Sequence, residues 1–130
     1  MLKPHVLPGV PRAIGPYSHA VEAGDMIFLS GQTPIDPVTG ELVGDTIEVQ
    51  TDQVLRNLSE VLRQLSLGMD RVVRCGVFLS DMKDFDGMNA VYGKYFARHH
   101  PARTTVAVKQ NPLGALVEID CIAVRESQVD

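Results

Sequence analysis

The strongest constraint on the fold is a run of apolar residues in mid-chain. Val54, Leu55, Leu58, Val61, Leu62 and Leu65 fall at i, i+1, i+4, i+7, i+8 and i+11, one stripe of a 3.6-residue period. Asp45 with Glu48 three residues later predicts a capping box at its start, and Gly68 predicts its stop. The chain then runs from Arg71 to Ser80 almost continuously apolar, as a central strand does. A second helix is predicted over about 84–98, with Phe85, Met88, Tyr92, Tyr95 and Phe96 at helical spacing and Pro101 ending it. Strands are predicted at 18–23 and 26–32, joined at Gly24-Asp25, and at about 102–109 and 116–125. Pro4, Pro8, Pro11 and Pro16 make the N-terminus an edge strand or extended arm. The order β-β-α-β-α-β-β predicts an α+β fold, with residues 1–130 as one domain.

Composition narrows the function classes. A hydrophobic content of 45% argues against disorder. A net charge of -4 gives no footprint for nucleic acid, whose binders carry basic patches. No apolar run reaches the ~20 residues that span a membrane, and no basic-then-apolar signal opens the chain. Cys75 and Cys121 sit in strand-like runs and read as inert buried thiols, which favours the cytoplasm. His99-His100 lacks a third ligand at metal spacing, so no metal is expected. Gly9 to Gly15, interrupted by Pro11, is no phosphate loop.

Two strings carry the chemistry. Pro101-Ala102-Arg103-Thr104-Thr105 and Val117-Glu118-Ile119 each set one charge inside a strand pattern. Alternation puts Arg103 and Thr105 opposite Val106 and Val108, and Glu118 opposite Val117, Ile119, Cys121 and Ala123. Two helices cannot cover both faces of such a sheet. The uncovered face is expected to carry Arg103, Thr105 and Glu118 with Leu116, Ile122 and Val124, a mixture that calls for a covering subunit. A cross-strand ion pair is the commoner meaning of an Arg and a Glu on neighbouring strands. A site for a small anionic substrate is the other.

Six strings decide between these readings: Ala13-Ile14-Gly15-Pro16-Tyr17-Ser18, Leu29-Ser30-Gly31-Gln32, Val77-Phe78-Leu79-Ser80-Asp81, Asn89-Ala90-Val91-Tyr92, Pro101-Ala102-Arg103 and Val117-Glu118-Ile119. In order and spacing they resemble the RidA (YjgF) family of reactive imine deaminases. The resemblance implies a chorismate-mutase-like fold with two helices on one face. It also implies a homotrimer around a central barrel, with clefts between subunits. It further implies hydrolysis of 2-imino (enamine) acids to 2-keto acids and ammonia without a cofactor. Arg103 would grip the substrate carboxylate and Glu118 would position water. Gly31 would allow backbone to approach the ligand, and Tyr17, Ser30, Asn89 and Thr105 would line the cleft.

This chain departs from the family in three places. Thr105 stands where Cys is common, which removes a thiolate but leaves a hydroxyl donor. Ala97 to His100 is shorter than the equivalent segment of many relatives, and His19 replaces a frequent Gln. The alternative function is a non-catalytic trimer that binds small carboxylic acids such as 2-keto acids. RNA cleavage, attached to some relatives, is disfavoured by the acidic charge and by the lack of a basic-aromatic stripe.

Overall fold

The structure is a computed structural model and describes residues 1–125. Six strands form one sheet: β1 (Leu2–His5), β2 (Ala20–Ala23), β3 (Met26–Gln32), β4 (Val72–Leu79), β5 (Ala102–Ala107) and β6 (Val117–Val124). Their spatial order is β1-β2-β3-β6-β4-β5. All neighbours are antiparallel except β4 and β5, which are parallel. A parallel pair needs a long crossover. Helix α2 (Phe85–Tyr95) supplies it, and α1 (Ile47–Gln64) links β3 to β4.

The alternation of β6 builds the core. Val117, Ile119, Cys121 and Ala123 are buried, and they pack with Val54, Leu55, Leu58, Val61 and Leu62 of α1. Cys75, Val77 and Leu79 of β4 and Met88, Tyr92 and Phe96 of the α2 region complete this layer. The other face of the sheet is open. Phe28 is 45% exposed and Val106 41% exposed on it. Leu116, expected on that face, packs instead against the helix-side core, its N–H donating to Gln50 Oε1 of α1.

Both ends of α1 differ from expectation. The N-cap is Thr46, whose hydroxyl accepts from Val49 N at 3.3 Å, so Asp45 and Glu48 form no capping box. The helix starts one residue later than the box requires, leaving Glu48 in the first turn where its charge suits the helix dipole. At the other end Ser66, not Gly68, takes the left-handed conformation, with φ 63°. Ser66 N donates to Arg63 O and Leu67 N to Leu62 O, the paired bonds of a Schellman cap. The second helix is also shorter than its pattern, ending at Tyr95.

The N-terminal arm is pinned by His19. Its Nδ1 accepts from Leu7 N at 2.9 Å and its Nε2 donates to Pro11 O at 2.8 Å. With 2% of its surface exposed, the ring ties the arm to the start of β2.

Candidate functional site

Glu118 and Arg103 lie on opposite faces of the sheet. The register pairs Arg103 with Cys75, and Cys75 with Cys121, all on the helix side. Glu118 pairs with Phe78, and Phe78 with Val106, on the open side. The expectation that Arg103 and Thr105 share the uncovered face with Glu118 is therefore corrected. Val106 reads as a core residue by composition, but β5 is an edge strand whose orientation follows its pairing to β4. That pairing turns Arg103 and Thr105 toward α2. A cross-strand ion pair between Arg103 and Glu118 is ruled out by the same register.

On the open face, Glu118 belongs to a cavity of about 420 Å³ that is also lined by Ile14, Tyr17, Ser30, Gly31, Thr33 and Pro112. A β-bulge makes the juxtaposition. Between Leu29↔Cys121 and Gln32↔Ile119, β3 spends one residue more than β6, at Ser30-Gly31. A side chain on Gly31 would collide with the Glu118 carboxylate. The strand glycine thus makes room for the Glu118 carboxylate by close approach rather than answering to an unusual φ. The Ser30 hydroxyl donates to Ser18 O at 2.7 Å, which leaves its oxygen free to accept. The Tyr17 hydroxyl accepts from Ile14 N at 3.4 Å, and the ring is 46% exposed at the rim.

Glu118 is half-buried, and among the described residues it has no hydrogen-bond or ion-pair partner. Burial raises its pKa above the ordinary 4.5, and the neighbouring Asp120 carboxylate raises it further. Asp120 itself accepts from Gly76 N at 3.1 Å. The result is a carboxylate made more basic than a solvated one and left free to take a proton.

On the helix side, the guanidinium of Arg103 packs on α2. Its Cζ lies 4.8 Å from the centroid of the Tyr92 ring and 5.6 Å from that of Phe85, and Nη1 is 3.9 Å from Met88 Sδ. No ion pair among the described residues includes it. Thr105, two residues on and facing the same way, has a buried hydroxyl without a hydrogen-bond partner. Asn89 is half-buried on α2, four residues after Phe85 and so on the same side of the helix.

The seven residues singled out in the sequence therefore fall into two groups. Tyr17, Ser30, Gly31 and Glu118 meet at one cavity, while Arg103, Thr105 and Asn89 lie across the sheet. Sequence reasoning missed Thr33 and Pro112 in the cavity wall and did not assign Ile14 to it. It also read Tyr92 and Phe85 as core alone. Gly31 inside a strand was the available signal for the bulge.

Among the described residues, no group of three His, Cys, Asp or Glu side chains converges as a metal site, and no helix is long and apolar enough to cross a membrane.

The family model described as Endoribonuclease L-PSP matches residues 9–125. The chain belongs to this family, that of RidA and YjgF. Protein DfrA of Myxococcus xanthus is 52% identical over 116 residues, 88% of this chain and 88% of that protein. Reactive Intermediate Deaminase A, chloroplastic, of Arabidopsis thaliana is 43% identical over 113 residues, 87% of this chain and 60% of that protein. The crystal structure of E. coli TdcF with bound serine has a TM-score of 0.90 at 35% identity, covering 95% of this chain and 99% of that one.

Proposed function

We propose that the protein hydrolyses reactive 2-imino (enamine) acids to 2-keto acids and ammonia, in clefts shared between subunits of a homotrimer. The observation that carries this reading is Glu118: a half-buried, unpartnered carboxylate with a raised pKa, set against Gly31 in an open cavity. Such a group is a general base in search of a proton. The Arabidopsis relative's name supplies the reaction class.

The substrate carries a carboxylate and an electrophilic C=N carbon. Arg103 binds the carboxylate through two parallel N–H···O bonds, a geometry that Lys cannot reproduce. Thr105, whose buried hydroxyl lacks a partner, and Asn89 are the further donors assigned to this side of the sheet. Glu118 takes a proton from water as the water oxygen bonds to the imine carbon, and the C=N electron pair goes to nitrogen, which takes that proton from Glu118. The carbinolamine then loses ammonia: Glu118 takes its hydroxyl proton and passes it to the leaving nitrogen, C=O forms and C–N breaks. Tyr17, Ser30 and Gly31 wall the reacting end. No prosthetic group enters the scheme, because the imine is already activated.

Arg103 and Glu118 face opposite ways in one chain, so a single subunit holds half of this machinery at each face. A second copy bringing its Glu118 face to the Arg103 edge completes the site. The exposed Phe28 and Val106 give the open face an apolar surface to cover.

A second reading, binding of small amino or keto acids without turnover, is favoured by the serine in the TdcF structure. RNA as substrate is opposed by the net charge of -4.

The test is a coupled assay. A threonine dehydratase generates 2-iminobutanoate, semicarbazide traps it, and the protein is added as wild type or Arg103→Ala. Wild type should suppress trapped semicarbazone and the variant should not. No suppression by wild type would sink the deaminase reading. Binding of 2-oxobutanoate under those conditions would favour the second.

A further inference from the structure

Arg103 is held by rings rather than by a carboxylate. Phe85, Met88 and Tyr92 lie at i, i+3 and i+7 along α2, and all three reach the guanidinium. Tyr92 is the nearer of the two rings and is itself backed by Phe96, whose ring centroid is 4.7 Å away at 41°. The Tyr92 hydroxyl is buried, and the polar group beside it is the Cys75 thiol, a weak partner at best.

The two ways of fixing an arginine differ in what they leave over. A carboxylate partner consumes the N–H donors at the edge of the guanidinium and neutralises its charge. An aromatic ring attracts the cation through its face, and the N–H bonds, which lie in the guanidinium plane, stay unused. The second arrangement keeps the fork for an incoming anion, save one Nη1 bond that goes to the weak acceptor Met88 Sδ at 3.9 Å.

We infer that Tyr92, assisted by Phe85, is a positioning residue that stacks Arg103 while keeping its donors and its charge for the substrate carboxylate. The inference rests on the reading of Arg103 as the carboxylate-binding residue. It assigns the aromatic face of α2 a role beyond core packing. Since the ring face does the work, Tyr92→Phe should behave as wild type and Tyr92→Leu should not.

Binding of 2-oxobutanoate, measured by calorimetry, tests this apart from turnover. Loss of the stack should raise Kd about twofold to thirtyfold in Tyr92→Leu and leave Tyr92→Phe unchanged. In the imine assay KM should rise by the same factor while kcat holds, because the contact serves ground and transition states alike. A merely structural role would lower the melting temperature and the active fraction at unchanged Kd and KM, and that result overturns the inference. If Tyr92→Leu does not fold, NMR of wild type decides. The Arg103 side-chain protons should be shifted upfield by the Tyr92 ring, and ordinary shifts would count against the stack.

The two readings fail separately. Tyr92-dependent binding without imine hydrolysis removes the deaminase and keeps the clamp. Hydrolysis with Kd and KM indifferent to Tyr92→Leu removes the clamp and keeps the deaminase. No binding of 2-oxobutanoate by wild type removes the clamp whatever the turnover.

Discussion

The Glu118 carboxylate occupies the space that a side chain on Gly31 would fill. The two residues are brought together by the bulge at Ser30-Gly31, where β3 shifts register against β6. Gly31→Ala should therefore act on the carboxylate rather than on the fold. The atoms in the way belong to the flexible end of Glu118, which can swing aside. Imine hydrolysis should fall at least tenfold while the melting temperature moves by a few degrees at most. An activity assay paired with a thermal melt reads both, and full activity in the variant would separate Glu118 from the chemistry.

Glu118 also fixes a pH dependence. Its pKa is raised by burial first and by Asp120 second, so the folded protein holds this proton more tightly than the unfolded chain does. Stability from this group is full below the unfolded pKa of about 4.5 and is lost as pH rises through the higher folded value. Glu118→Gln should thus melt higher than wild type at pH 7, with the gain vanishing near pH 4, while abolishing activity. In wild type the acid limb of kcat/KM should lie above pH 4.5, and Asp120→Asn should move it down. An acid limb indifferent to Asp120→Asn would remove Glu118 as the base.

Glu22 shows the opposite sign. Its carboxylate bonds Arg125 Nε at 2.8 Å and His5 Nε2 at 2.7 Å, joining β2, β1 and the end of β6. The bond from Arg125 is the chief cause that lowers its pKa to about 2. The associated stability is present above pH 4.5 and drains away as pH falls toward 2. Glu22→Gln should cost about 1.5–3 kcal/mol at pH 7 and far less at pH 2.5. Urea melts at the two pH values give the comparison.

Ser66 is a plain opportunity for stabilisation. It is exposed, and its left-handed φ of 63° closes the C-terminus of α1. A residue with Cβ pays roughly 1–2 kcal/mol there, against about 0.5–1 kcal/mol of extra unfolded-state entropy for glycine. Ser66→Gly should stabilise by up to about 1 kcal/mol without touching activity, as read by denaturant titration.

The two helices, the central strand and the final strand were legible because each writes its own period: Val54 to Leu65 for α1, Val117 to Ala123 for β6. Arg103 and Glu118 were legible as charges inside strands. Their facing was not. Alternation says that Arg103 opposes Val106, but which of the two meets the helices depends on the pairing of Cys75 with Arg103, a contact between distant parts of the chain. An edge strand with Val106 on its open face gives composition the wrong clue. The cap of α1 was misplaced for a local reason: Asp45 and Thr46 are both good N-caps, and backbone geometry chose the second.

The opposed facing of Arg103 and Glu118 has a genetic counterpart. If each site draws its arginine from one copy and its carboxylate from the next, Arg103→Ala and Glu118→Gln are defects that different chains can cover for one another. Either variant alone should then be inactive. Co-expressed in equal amounts, mixed assemblies would then contain sites in which an intact Arg103 from the Glu118→Gln chain meets an intact Glu118 from the Arg103→Ala chain. Random assembly places such a pair at about a quarter of sites, since each partner is chosen with probability one half. Recovery of about a quarter of wild-type activity would mark one gene with two complementation groups, and the dividing line between them is the plane of the sheet.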